Sequence, residues 1–163
     1  MAHDNTLLIR GARLADSGPE ATCDVLIRSG IIAAVKNAPR LEQKDSGERG
    51  LSSDGASIEA GGLTCLPAFC DMHAHFRDPG MTNKEDLASG SRAAVRGGYT
   101  AVNLMANTKP VISTHAQVKD VLARAKRIGL VDVHQCVSIT RDMDGRTVDH
   151  LEGLGKHVRI ISE

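Results

Sequence analysis

From Leu66 onward the hydrophobic pattern alternates between short apolar runs and amphipathic stretches with helix start and stop signals, and nothing else in the chain narrows the fold as far. Leu66 to Cys70 is apolar and reads as a strand leading to a polar segment. Thr82-Asn83-Lys84-Glu85 has the form of a capping box, with Thr82 expected to cap a helix and Glu85 to reach back to it. Leu87, Ser91, Ala94 and Val95 then share one helical face, and Gly97-Gly98 is the stop. Thr100 to Met105 reads as the next strand. A second capping box, Thr114 to Gln117, opens a helix whose stripe is Val118, Val121, Leu122, Ala125 and Ile128, ending at Gly129. Leu130 to Ile139 reads as a third strand, Thr147 to Leu154 as a short helix, and His157 to Ile161 as a fourth strand. Strands alternating with helices at this spacing predict an α/β fold with a parallel sheet, either a (β/α)8 barrel or a doubly wound sheet. The doubly wound form fits less well, because no Gly-x-Gly-x-x-Gly turn follows the first strand. A complete barrel takes roughly 250 residues. Residues 66 to 163 offer about four βα units, the first half of one.

The residues before Leu66 have another rhythm. Leu7 to Ile9, Asp24 to Arg28 and Ile31 to Val35 are short β-like runs broken by Gly11, Gly18-Pro19 and Ser29-Gly30, a hairpin-rich β unit. Lys36 to Ala56 is polar with charges of alternating sign, which favours an exposed loop over a binding arm. Ser57 to Cys65, turning at Gly61-Gly62, completes the unit. Aliphatic side chains must build the core, since Phe69, Phe76 and Tyr99 are the only aromatics.

Within the alternating region, Asp71-Met72-His73-Ala74-His75-Phe76-Arg77-Asp78-Pro79-Gly80 carries the chemistry. In a strand, alternate side chains share a face, so Asp71, His73 and His75 are expected to project together. Two imidazoles leaving one face can hold one metal ion. An isolated His-x-His is more often a chance pair at a strand end. Arg77 shifts the balance, because by the same alternation it sets a positive charge beside the pair, suited to an anionic substrate. Asp78-Pro79-Gly80 then turns the chain sharply. Asn107 follows Asn103 and Met105 in period-two alternation at the end of the second strand, where it could line a site or serve as a turn residue.

These residues resemble the signature of type I dihydroorotases, in the amidohydrolase superfamily. The likeness extends from Leu66 to Val111 through Gly97-Gly98-Tyr99-Thr100 and Met105-Ala106-Asn107-Thr108-Lys109-Pro110, and more weakly over Leu7 to Val35 and Asp132 to Glu163. It implies a small β-sandwich-like unit over residues 1–65, followed by the first half of a (β/α)8 metal-dependent hydrolase barrel over residues 66–163. It implies zinc, one or two ions per complete site, with His73 and His75 as ligands, Arg77 and Asn107 on the substrate's carboxylate, and Asp71 supporting the histidines. In such relatives a Ser-Asp-Asp-Gly or Ser-Glu-Asp-Gly segment bears a bridging carboxylate. That register places the bridging residue just after Glu163, and further histidines and the catalytic aspartate on later strands. No catalytic residue is then expected within residues 1–163, and the chain reads as a fragment of a longer enzyme, inactive alone.

The activity implied is zinc-dependent interconversion of N-carbamoyl-L-aspartate and dihydroorotate in pyrimidine biosynthesis. Allantoinases and hydantoinases are the rivals, and their signatures generally lack an arginine at the position of Arg77. A non-catalytic, truncated structural or interaction module is the alternative from another class. The resemblance allows a homodimer, and association with aspartate transcarbamoylase, as in some relatives. Balanced charge, with Lys plus Arg equal to Asp plus Glu, gives no reason to expect nucleic acid or an anionic membrane as partner. Cys23, Cys65, Cys70 and Cys136 show no Cys-x-x-Cys spacing and read as reduced core thiols. Met1 to Asn5 has no basic n-region and no long apolar segment follows, so a cytoplasmic protein without signal peptide or membrane span is expected. His134 is expected as a satisfied core histidine. His3, His115, His150 and His157 are not assigned to metal, and Lys84 and Lys109 read as solvated charges.

Overall fold

The structure, a computed structural model, describes residues 6–18, 21–37, 55–156 and 158–163. His3, His157 and most of the polar stretch Lys36 to Ala56 lie outside the described residues. The chain divides into two compact units, Met1–Pro67 and Ala68–Glu163.

The first unit is a β-sheet of order β3-β2-β1-β4, built from β1 (Thr6–Leu14), β2 (Cys23–Arg28), β3 (Ile31–Asn37) and β4 (Ala56–Glu59), with β5 (Thr64–Cys65) also pairing β1. Strands β1, β2 and β3 are antiparallel neighbours, whereas β4 and β5 run parallel to β1. Ser29 and Gly30 join β2 to β3 with φ of 49° and 78°, the two positive values that a type I′ hairpin requires. The break expected at Gly11 is a β-bulge instead, with the strand continuing to Leu14. Its amide donates 3.0 Å to the buried Asp24 carboxylate, which gives that charge a partner. Leu8, Val25 and Leu26 are buried, while Ile31, Ile32, Val35 and Ile58 are exposed. Among the described residues this unit is one sheet, without the second layer of a sandwich.

The second unit is mixed α/β. Its strands β6 (Phe69–Ala74), β7 (Tyr99–Leu104) and β8 (Asp132–Gln135) form a parallel sheet in sequential order. Helices α1 (Leu87–Arg96) and α2 (His115–Ile128) are the crossovers. Among the described strands the order is sequential and does not reverse, without the switch point of a doubly wound sheet. Val102 and Leu104 of β7 are buried in one core with Ile112, Val118, Val121 and Val137.

Helix α2 follows the sequence closely: Thr114 and Gln117 cap each other reciprocally, Val118, Val121 and Ala125 are buried, Leu122 and Ile128 pack against the core, and Gly129 ends the helix at φ 66°. Helix α1 does not. Its N-cap is Asp86, whose carboxylate accepts the Ser89 amide while Ser89 caps in return, four residues beyond the expected Thr82. The intervening residues are consumed by turns, with the Met81 amide donating to Arg77 and the Lys84 amide to Met81. Hydrogen bonds from Ser89 hold the Asp86 carboxyl below the usual carboxylate range. Leu87 and Ser91 are buried as expected, but Val95 is exposed and Gly90 takes its place against the core. A Cβ at Gly90 would stand 2.6 Å from the Phe76 ring, so the close approach needs glycine.

The later elements are shorter than expected. Strand β8 spans only Asp132–Gln135, the helix after it is a 3-10 turn over Asp149–Gly153, and the fourth strand reduces to a parallel bridge between Val137 and Ile161. His134 is exposed on β8 rather than a core residue, and Cys70 is exposed and Cys65 half-buried where core thiols were expected. Cys23 and Cys136 are buried, and all four are free thiols. Lys84 and Lys109 are exposed. No helix among the described residues is long and apolar enough to cross a membrane.

Candidate metal and substrate site

The C-terminal end of β6 brings the two histidines together. His73 Nε2 and His75 Nε2 are 3.2 Å apart, with the rings edge to face at 5.0 Å between centroids. Ligands roughly 2.0–2.1 Å from a tetrahedral zinc ion stand about 3.3–3.4 Å from each other. The two nitrogens therefore already stand near the separation that one zinc imposes, and the donor set suits that ion. The same separation lets one ring donate to the other when no ion is bound. Among the described residues no group of three or more His, Cys, Asp or Glu side chains is gathered to hold a metal.

The neighbours of the pair explain the pose. Asn107 Oδ1 lies 2.9 Å from His75 Nδ1. An amide oxygen there accepts from a protonated Nδ1, which leaves the Nε2 lone pair free for metal. Asp71 Oδ1 accepts the His73 backbone amide at 3.0 Å, so Asp71 reaches the pair through the main chain and not through a ring. The expected common face of Asp71, His73 and His75 depends on strict alternation, and β6 breaks it. Asp71 pairs with Val102 and Ala74 with Leu104, so β6 carries one more residue than β7 across this interval. Such bulges re-aim side chains and are frequent beside active sites.

Arg77 also arrives by a different route from the one expected. The strand ends at Ala74, so alternation cannot carry to residue 77. Instead Arg77 takes φ 59°, in the left-handed region, and its Nη1 lies 3.5 Å from the Asn107 carbonyl oxygen. That conformation is costly for a non-glycine residue and persists only where the surroundings hold it. Beneath the site, Asn103 ties the strands together, donating to the Met72 carbonyl at 3.1 Å and to Cys136 Sγ at 3.0 Å. Burial pushes the Cys136 thiol up, with the Asn103 hydrogen bond pulling the other way.

A cavity of about 230 Å3 opens at the histidines, walled by His73, His75, Met105, Asn107, Met143 and Glu163 among others. Met143 and Glu163 were not anticipated. Met143 lies in a 3-10 turn where it and Asp142 both have positive φ, 59° and 52°. Buried Ser113 and Ser138 hydroxyls, 2.9 Å apart, support that turn, with the Asp142 amide donating to Ser113 at 2.9 Å. Asp144-Gly145 marks a turn here, but nothing local places Met143 at the cavity. Glu163 had a local signal, the Ser162-Glu163 pair, which the resemblance reads as the residues just before the bridging carboxylate. Thr140 holds the Glu163 carboxylate through its amide at 2.8 Å and its hydroxyl at 2.7 Å. His150 donates to the Ser138 carbonyl at 2.9 Å and His115 begins α2, so neither is among the cavity residues. A larger cavity, about 570 Å3, lies at the opposite end of β7 and β8 around Thr100, Ala125 and Val131, away from the histidines.

The dihydro-orotase-like family matches residues 62–157. A dihydroorotase from Clostridium botulinum (strain Eklund 17B / Type B) is 46% identical over 145 residues, 89% of this chain and 34% of the relative. One from Trichlorobacter lovleyi is 39% identical over 153 residues, 92% of this chain and 33% of the relative. Among solved structures, the L-hydantoinase (dihydropyrimidinase) from Arthrobacter aurescens aligns with a TM-score of 0.65 at 22% identity, covering 92% of this chain and 30% of that one. A D-hydantoinase aligns with a TM-score of 0.52 at 24% identity, covering 83% of this chain and 27% of that one. These last two likenesses concern the fold alone. The chain spans about a third of the length of the curated relatives it matches.

Proposed function

The chain belongs to the dihydro-orotase-like family, and from that premise we propose that the protein carrying it is a dihydroorotase, interconverting N-carbamoyl-L-aspartate and dihydroorotate with zinc. Residues 66–163 are then the first half of a (β/α)8 barrel, and residues 1–65 the β unit preceding it. The observation that carries this reading is the convergence of His73 and His75 Nε2 at 3.2 Å beside Asn107 and Arg77. When bound, zinc supplies Lewis acidity toward a ring carbonyl and acidifies a water molecule near neutral pH. This chain's residues bind and orient. His73 and His75 offer their Nε2 lone pairs. Asn107 has two tasks: its Oδ1 faces His75 and fixes the tautomer, which turns its Nδ2 donors away from the ring and toward the substrate's carboxylate. The Arg77 guanidinium completes the clamp with a planar fork that matches a carboxylate.

Arg77 also separates this reading from a hydantoinase, whose substrates present no ring carboxylate. Since His73 and His75 alone hold zinc weakly, residues 1–163 by themselves should not turn over dihydroorotate; the remaining ligands belong to the residues that longer relatives possess. The test is made in the full-length protein. His73→Ala and His75→Ala should each abolish activity and lower zinc content. Arg77→Lys should raise KM for dihydroorotate by about tenfold or more, because a point charge cannot copy the fork. Undiminished zinc in the double histidine variant would place the metal elsewhere, and wild-type kinetics in Arg77→Lys would remove the preference for dihydroorotate.

A further inference from the structure

Arg77 does not hold its left-handed conformation unaided. Its carbonyl accepts the Met81 amide at 3.0 Å, and the Pro79 carbonyl accepts the Lys109 amide at 3.1 Å. Between these two backbone anchors stands Asp78, with its side chain only 9% exposed. Asp78 Oδ1 accepts from Arg124 Nη1 at 2.7 Å, and Oδ2 accepts the Leu87 amide at the start of α1 at 3.4 Å. Arg124 sits on α2, 46 positions further along the chain. Its Nε is 3.0 Å from Asp120 Oδ2, but Nε and Nη2 are buried without an aligned acceptor. The bond to Asp78 is therefore the well-formed use of this guanidinium. A short bond between a buried carboxylate and a fixed cation is strong and orientation-specific. Here it fastens the residue adjoining the strained Arg77.

Resting on the reading that Arg77 grips the substrate's carboxylate, we propose that Asp78 and Arg124 are positioning residues for Arg77, coupling α2 to carboxylate recognition. Neither faces the histidine cavity. Without the pair, residues 77 and 78 lose the side-chain anchor between their two backbone ties. Arg77 relaxes toward ordinary φ, and its guanidinium leaves the Asn107 carbonyl. The histidines lie upstream, His73 on β6 and His75 just past its end, and are held by Asp71 and Asn107, so metal binding persists.

The experiment measures dissociation constants in the full-length protein for orotate, which carries the ring carboxylate, and for uracil, the same ring without it. Arg124→Gln should weaken orotate by about tenfold while leaving uracil affinity and zinc content within about twofold of wild type. In an Arg77→Ala background, Arg124→Gln should then weaken orotate by less than about twofold, because residues acting through one another are not additive. Equal losses for both ligands, or full additivity with Arg77→Ala, would reduce the pair to general stability and overturn the proposal. Unchanged orotate affinity in Arg124→Gln would do the same. Should Arg124→Gln not fold, Asp78→Asn, which keeps the shape and the acceptor for Leu87, is read by the same criteria. If Arg77→Ala itself leaves orotate binding intact, the carboxylate assignment fails, an outcome distinct from failure of the coupling.

Discussion

Two loops border the histidine pair, and they are held in opposite ways. The loop after β6, carrying Arg77, is secured from behind by the buried Asp78, by Arg124 and by the start of α1. Phe76, buried against Gly90, adds an apolar anchor. The loop after β8, carrying Met143, is secured largely at its surface. Exposed Asp144 accepts the Arg146 and Thr147 amides, each at 2.8 Å, and Thr140 binds the exposed Glu163. Its inner supports are the buried Ser113 and Ser138 hydroxyls and the packing of Met143 against the core. Burial decides what each hydrogen bond contributes. A charge pair kept from water is costly to break, because the partner left behind is unsatisfied, whereas an exposed bond exchanges with water at little net cost. The residue proposed to grip the substrate thus stands on the rigid loop, and the cavity's far wall on the more yielding one.

Removing the buried carboxylate should give the largest effect. Asp78→Ala strands Arg124 and should lower the unfolding free energy by about 2–4 kcal/mol, seen as a shift of the denaturant midpoint in the full-length protein. Thr140→Val removes the hydroxyl's bond to Glu163 while the amide of residue 140 still donates, and should cost only about 1 kcal/mol, since the carboxylate is wetted on release. If the two variants lost equal stability, the contrast between the loops would be wrong. The smallest effect is local and depends on pH. Hydrogen bonds from Thr147 and Arg146 hold the Asp144 carboxyl below the usual carboxylate range. A carboxyl whose folded pKa is depressed stabilises fully above the unfolded pKa and loses that contribution as pH falls through the folded one. The Arg146 and Thr147 amides should accordingly lose protection from hydrogen exchange in acid, below the ordinary carboxylate range, and not on raising the pH. Asp144→Asn should abolish that dependence. A flat profile in the wild type would show that the surface bonds do not hold the loop.

The signals that the sequence itself determined are those written in neighbouring residues. Thr114 and Gln117, the stripe from Val118 to Ile128 and Gly129 define α2 because capping, periodicity and termination act within a few turns of one helix. The closeness of His73 and His75 was legible for the same reason, as was the parallel α/β character of the second unit. Tertiary structure decided the rest. Thr82 carries the capping signal read from the sequence, but turns anchored at Arg77 and Met81 take up the following residues and the cap falls at Asp86. The register between β6 and β7 introduced the bulge that separates Asp71 from simple alternation. Arg77 came to Asn107 through a left-handed backbone held by a partner on α2, and Met143 came to the cavity through a turn held by Ser113 and Ser138. The cap of α1 apart, each of these depends on an interaction between residues far apart in the chain. A sequence records local preference, and the balance between a local preference and a buried hydrogen bond exists only once the chain is packed.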